Sequence, residues 1–263
     1  MKKIIAGSSS PMLAKNLAKE LNVPIASVSV KRFPDGECYV RLHEEVEHAI
    51  IVQNTYPDEN IIELFLLEDA AKRMASRVDV IIPYYGYGRQ DKIFEYGEAI
   101  SAEKMARLIE QDASSVILVN PHKEHIINFF SIPAMAADAT TTIAEYFKGK
   151  VDMVIAPDKG AAAMAEKAAS VIQCDYDYFE KHRISGSEVE TKLKSMDVAG
   201  KNIVIIDDII STGGTMIQAI KQLVRQEANN IYVACIHGLF IGNAEQMTKY
   251  CRKEQKKLFQ QTP

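Results

Sequence analysis

Asp207 and Asp208 stand side by side and are followed by Ser211, Thr212, Gly213, Gly214 and Thr215. Two acids beside hydroxyls and glycines suit a sugar phosphate. The carboxylates accept hydrogen bonds from ribose hydroxyls, and backbone N–H groups in a loop that opens a helix favour a phosphate. Gly213 and Gly214 let the backbone come close to that phosphate. The lysine of the triphosphate-binding G-x-x-x-x-G-K-[ST] loop is absent, so this is a different phosphate site. The plainer alternative is a strand–turn–helix connection whose acids only cap the helix.

Other clusters carry chemistry of their own. Tyr84-Tyr-Gly-Tyr-Gly-Arg-Gln-Asp-Lys92 is an aromatic, glycine-containing loop in which Arg89 can fork onto phosphate oxygens and Lys92 adds a point charge. A solvated charged loop is the alternative. Arg32-Phe-Pro-Asp-Gly-Glu37 is a turn with Pro-Asp-Gly at its core, and Phe33 is its candidate for stacking on a base. In Asn120-Pro-His-Lys-Glu-His125, His122 lies just past a strand end, within reach of a ligand or metal, while His125 reads as structural. Pro157-Asp-Lys-Gly160 sets Asp158 at another strand end, and Asp158 and His122 together suit Mg²⁺ held largely through waters and phosphate oxygens. Phe179-Glu-Lys-His-Arg-Ile-Ser-Gly-Ser187 carries Lys181 and Arg183, either as a lid closing over a transferring phosphoryl group or as an exposed basic hairpin.

These clusters follow short apolar runs. Strands are predicted at Ile4–Ala6, Ile50–Gln53, Val80–Pro83, Val116–Val119, Met153–Ala156, Ile203–Ile206 and Ile231–Ile236. Helices are predicted at Pro11–Leu21 with Ser10 as N-cap, Glu59–Arg73, Ala102–Gln111, Thr142–Phe147, Ala161–Val171, Met216–Arg225 and Asn243–Lys249. The alternation predicts an α/β fold of doubly wound, mostly parallel sheets, and two sheets meeting near Lys148-Gly149-Lys150 suit 263 residues. The clusters fall after strand ends, where such sheets bind ligands.

Composition is that of an ordinary soluble globular protein: 47% hydrophobic and 25% charged residues with a net charge of −4 give no pull toward nucleic acid or an anionic membrane. No apolar run reaches the ~20 residues of a membrane span, and Met1-Lys-Lys-Ile-Ile-Ala-Gly enters a strand without a signal-peptide core. Cys38, Cys174, Cys235 and Cys251 are scattered and read as free thiols of a reducing cytoplasm.

The Asp207–Thr215 loop resembles the PRPP-binding loop of the type I phosphoribosyltransferase fold. Taken with Arg32–Glu37, Tyr84–Lys92, His122, Pro157–Gly160 and Lys181/Arg183 in the same order, the chain resembles the ribose-phosphate pyrophosphokinases, most of all archaeal ones, over residues 1 to about 250. The resemblance implies two phosphoribosyltransferase-type domains, 1–148 on the ATP side and 149–263 on the ribose 5-phosphate side, with the active site between them. ATP would bind at Arg89, Gln90, Asp91 and Lys92, and its adenine at Phe33, Asp35 and Glu37 of a neighbouring subunit, which requires a homo-oligomer. His122 and Asp158 would be magnesium-site residues, Asp207 and Asp208 would hold the ribose hydroxyls, and Ser211, Thr212, Gly213, Gly214 and Thr215 the 5-phosphate. Lys181 and Arg183 would be the catalytic-loop cations. The reaction implied is transfer of the β,γ-diphosphate of MgATP to the 1-hydroxyl of ribose 5-phosphate. A regulatory, non-catalytic sister subunit is the alternative, and an ordinary phosphoribosyltransferase leaves Arg89–Lys92 unexplained.

Two departures stand out. Asn120 occupies a position where many members have an acid, two residues before the histidine. After Tyr250 the tail Cys251–Pro263 is basic and glutamine-rich with no strand period, where the family continues with a strand. A sheet edge left unpaired is the expected consequence.

Overall fold

The computed structural model describes residues 1–183, 189–193, 197–242 and 257–260, with backbone alone for 181–183, 189–193 and 257–260. Two compact units result, Met1–Asp138 and Ala139–Thr262. Among the described residues no helix is long and apolar enough to cross a membrane.

The first unit contains β1 (Lys2–Ala6), α1 (Pro11–Leu21), β2 (Val28–Arg32), β3 (Cys38–Leu42), β4 (His48–Val52), α2 (Asp58–Lys72), β5 (Arg77–Ile82), α3 (Ser101–Ile109), β6 (Ser115–Val119) and β7 (Ala134–Ala137). Five strands form a wholly parallel sheet in the order β1-β4-β5-β6-β7. Alternation along β4 explains its two faces. Ile51 joins Leu64 and Leu67 of α2 and Ala102 and Ala106 of α3 in the larger core. Ile50 and Val52 turn the other way, onto Ala14, Leu13 and Leu17 of α1. α1 begins and ends where the sequence places it, with Pro11 at its start and Asn22 left-handed at its end, although the Ser10 side chain makes no capping bond. β2 and β3 pair as a separate antiparallel hairpin whose tip is the Phe33–Glu37 turn.

The second unit contains α4 (Thr140–Phe147), β8 (Met153–Ala156), α5 (Ala162–Ile172), β9 (Asp175–Arg183), β10 (Val189–Leu193), β11 (Ile203–Ile210), α6 (Gly214–Arg225), β12 (Ile231–Gly238) and β13 (Lys257–Gln260). Its sheet runs β10-β9-β8-β11-β12-β13 and is parallel except for the β9/β10 pair. Met153, Ile155, Ile203, Ile205, Val233 and Cys235 face Met216, Ala219, Ile220 and Leu223 of α6, while α5 packs on β8 and α4 on α5. Because β9 lies on one side of β8 and β11 on the other, the strand order reverses between β8 and β11. Open α/β sheets bind ligands at the carboxyl ends of strands at such a reversal.

Three sequence expectations change. The division falls between Asp138 and Ala139, not at Lys148–Lys150, because α4 packs on α5 and its Phe147 meets Tyr232 of β12. The strand Ile203–Ile206 continues to Ile210, so Asp207 and Asp208 lie within β11 and not after it. The tail does contain a strand: β13 pairs parallel with β12, Tyr232 opposite Lys257 and Cys235 opposite Gln260. The predicted helix Asn243–Lys249 lies outside the described residues.

Candidate active site

In the first unit the candidate residues gather past the carboxyl ends of the strands. After β4, Asn54 and Thr55 stitch themselves to the loop after β5. Asn54 Oδ1 accepts from the Tyr84 N–H at 2.8 Å, and Thr55 Oγ1 accepts from the Gly86 N–H at 2.7 Å. A Cβ on Gly86 would stand 2.3 Å from the Thr55 carbonyl oxygen, so only glycine fits there. Tyr85 is buried and donates to the Ala102 carbonyl at 2.8 Å, and burial alone holds its phenol far above the usual range. Arg89 and Lys92 emerge exposed from this frame, and the Lys92 ammonium lies 5.2 Å over the Phe94 ring.

A carboxylate absent from the sequence reading shapes the far side of the loop. Glu98 accepts from Gln90 Nε2 at 3.0 Å and from the N–H groups of Phe94 and Glu95 at 2.7 and 2.8 Å. Those backbone donors hold its carboxyl below the ordinary range. Asp91 turns inward and meets His125 Nε2 at 3.0 Å. His122 is half-buried past β6. Asn120, left-handed at φ +39, donates from Nδ2 to Asp138 Oδ1 at 3.0 Å, so a carboxylate from the end of β7 serves this turn.

At the hairpin tip the Glu37 N–H meets Asp35 Oδ1 at 3.1 Å, and Gly36 is left-handed at φ +96. Phe33 is half exposed and touches Tyr39 edge-on.

In the second unit the β8–β11 ladder runs only from Met153–Ile203 to Ile155–Ile205, whereas β11 stays paired with β12 as far as Ile210–Gly238. The parted seam leaves room for a turn after β8, where Asp158 Oδ1 accepts from the Gly160 N–H at 2.7 Å. Asp207 and Asp208 follow on β11. The Asp208 N–H donates to Asp207 Oδ1 at 2.9 Å and the Ile209 N–H to Asp208 Oδ1 at 2.7 Å. Burial, then the charge of Asp208 and more weakly that of Asp158, push the Asp207 carboxyl up to about 8. Beyond them Gly213 is left-handed at φ +77 and starts α6, leaving the first amides of that helix facing outward at Gly214 and Thr215.

Sequence relationships agree with this geometry. Residues 2–112 match the N-terminal domain of ribose phosphate pyrophosphokinase, and residues 125–261 the phosphoribosyl transferase domain. The ribose-phosphate pyrophosphokinase of Methanothermobacter thermautotrophicus is 42% identical over 247 residues, spanning 92% of this chain and 87% of that protein. The chain belongs to the ribose-phosphate pyrophosphokinase family. As a member it is a transferase of the kinase type. The ribose-phosphate pyrophosphokinase of Pyrococcus furiosus is 40% identical over 244 residues, 90% of this chain and 88% of its own. The crystal structure of phosphoribosylpyrophosphate synthetase from Mycobacterium smegmatis superposes with a TM-score of 0.85 at 28% identity, over 98% of this chain and 94% of that one. The phosphoribosyl transferase domain match extends to residue 261 and so includes β13.

The structure thus brings Asp158, Asp207 and Asp208 together in one unit, and Arg89, Gln90 and Lys92 onto one loop of the other. Lys181 and Arg183 fall on the last residues of β9, opposite Thr191 and Val189 of β10; their side chains lie outside the described residues. Among the described residues no group of three or more metal-ligating side chains forms a metal cage.

Proposed function

We propose that this pyrophosphokinase transfers the β,γ-diphosphate of MgATP to the 1-hydroxyl of ribose 5-phosphate, giving PRPP and AMP. The observation that carries the reading is the Asp207–Thr215 segment at the strand-order reversal: two acids, a left-handed Gly213 and the open amides of α6. Asp207 and Asp208 accept from the ribose hydroxyls, and Ser211, Thr212, Gly213, Gly214 and Thr215 surround the 5-phosphate. Arg89, Gln90 and Lys92 receive the triphosphate of ATP. The half-exposed ring of Phe33, with Asp35 and Glu37 at the same hairpin tip, serves the adenine of a neighbouring subunit, which makes the working form a homo-oligomer.

The acidic neighbourhood of Asp158, with its raised Asp207, suits a hard cation, and His122 and Asp158 would hold Mg²⁺. Bound there, the ion would supply neutralising charge for the diphosphate. Lys181 and Arg183 are the chain's own cations for the transition state, where positioning and charge neutralisation outweigh covalent chemistry. The alternative, a non-catalytic sister subunit, would form neither product.

Measuring AMP and PRPP formed from ATP and ribose 5-phosphate, beside the size of the same sample, tests the reading. Equal amounts of both products are expected. No turnover from a folded oligomer would refute it. Lys181→Ala should lower kcat far more than it raises KM, and an unchanged kcat would remove Lys181 from the catalytic loop.

A further inference from the structure

We propose that Asp91 is a positioning residue, latched to His125, that ties the ATP loop to the segment following His122, and that it makes no contact with the nucleotide. The inference rests on the reading that Arg89 and Lys92 hold ATP.

Asp91 sits inside the motif yet points away from its cations. Its side chain is 7% exposed, while Arg89 and Lys92 on either side are exposed to solvent. A carboxylate removed from water needs a partner, because a buried charge left unpaired loses its hydration with nothing in return. His125 Nε2, at 3.0 Å from Asp91 Oδ2, is that partner, and its own side chain is 49% exposed. Whether neutral with its proton on Nε2 or fully protonated, the imidazole donates along this line.

The contact joins two segments distant in the sequence. His125 belongs to the short helical turn Glu124–Phe129 that follows His122, and its ring packs edge-on against Phe129. The adjacent Ile126 is fully buried, and its Cδ1 would lie 3.5 Å from a Cβ on Gly88. Phe130 meets the Tyr85 ring edge-on. The loop after β5 and the turn after β6 are therefore packed as one body, with the Asp91–His125 pair as its polar tie. Losing the tie leaves the apolar contacts in place but frees the backbone that carries Arg89 and Lys92. A shift of about 1 Å in such groups costs on the order of a hundredfold in a positioned reaction.

A double-mutant cycle on the full-length enzyme tests the latch, with KM for ATP, KM for ribose 5-phosphate and kcat measured for each variant. His125→Leu is expected to raise KM for ATP about tenfold and to leave KM for ribose 5-phosphate within about twofold. His125→Gln, whose amide donor reaches the Nε2 position, should restore KM for ATP. Asp91→Asn should weaken ATP in the wild-type background and add nothing to His125→Leu. If Asp91 touches ATP, Asp91→Asn will cost as much in the His125→Leu background as alone, and the latch is overturned. It is equally overturned if His125→Leu binds ATP like the wild type. Should His125→Leu fail to fold, His125→Asn, which withdraws the donor from the Nε2 position, takes its place in the cycle. A wild type that makes no AMP would count against the proposed reaction and not the latch, which is then read from ATP affinity by titration calorimetry.

Discussion

Asp207 is a carboxyl whose surroundings oppose its own charge. Its folded value of about 8 against an ordinary 3.8 means that folding takes up a proton between those limits. The sign follows from linkage: this contribution to stability is complete below about pH 4 and is lost as pH rises toward about 8. The slope is at most about 1.4 kcal/mol per pH unit. Asp207→Asn should flatten it, so urea unfolding across that range should show the variant gaining on the wild type as pH rises; parallel profiles would contradict the assignment. At this scale the sequence displays residue types well, since paired acids, glycines and hydroxyls are visible as letters. It does not display partners. Nothing near Glu98 foretells that it will accept from Gln90 and two amides, and nothing near Asn120 names Asp138. Both depend on chain segments that meet only after folding.

Among the elements, the loop after β5 shows how a sheet aims cations. Asn54 and Thr55 extend β4 beyond its last ladder pair and grip Tyr84 and Gly86, so the loop leaves the sheet along a fixed path. Gly86→Ala would drive a methyl into the Thr55 carbonyl, and a loss of about 1–3 kcal/mol is expected. Thermal unfolding measures the stability term. ATP affinity should fall with it while ribose 5-phosphate affinity holds; an alanine variant as stable as wild type would show that the loop accommodates the methyl. The helices and buried strands were legible because their periods are strong, as in Pro11–Leu21 and Met153–Ala156. The hairpin strands were not. Val28–Arg32 and Cys38–Leu42 are short and half exposed, and Asp175–Arg183 carries charge at close intervals, so neither pattern stands out from a loop.

For the whole molecule, each of the two units carries its own sheet, and each sheet has an edge strand that is weak as sequence, β7 in the first and β13 in the second. Lys257–Gln260 is a short strand in a basic tail, which is why periodicity passes over it; its pairing with β12 is a long-range event. Removing residues 251–263 would bare the β12 edge. The expected cost of about 2 kcal/mol corresponds to roughly 4–8 °C in Tm, with aggregation on size-exclusion chromatography. Unchanged melting and a single oligomer peak would show that the edge needs no cover. The parted seam between β8 and β11 has a wider meaning. Over its first residues β11 is zipped on both edges, and from Ile206 onward it is paired with β12 alone. The strand is thus a cantilever, clamped at its root and free of β8 on one flank, where carboxyl groups crowd. A proton on Asp207, or positive charge brought to that flank, would relieve the crowding, so the free arm of β11 is the part of the sheet whose electrostatics answer to what sits beside it.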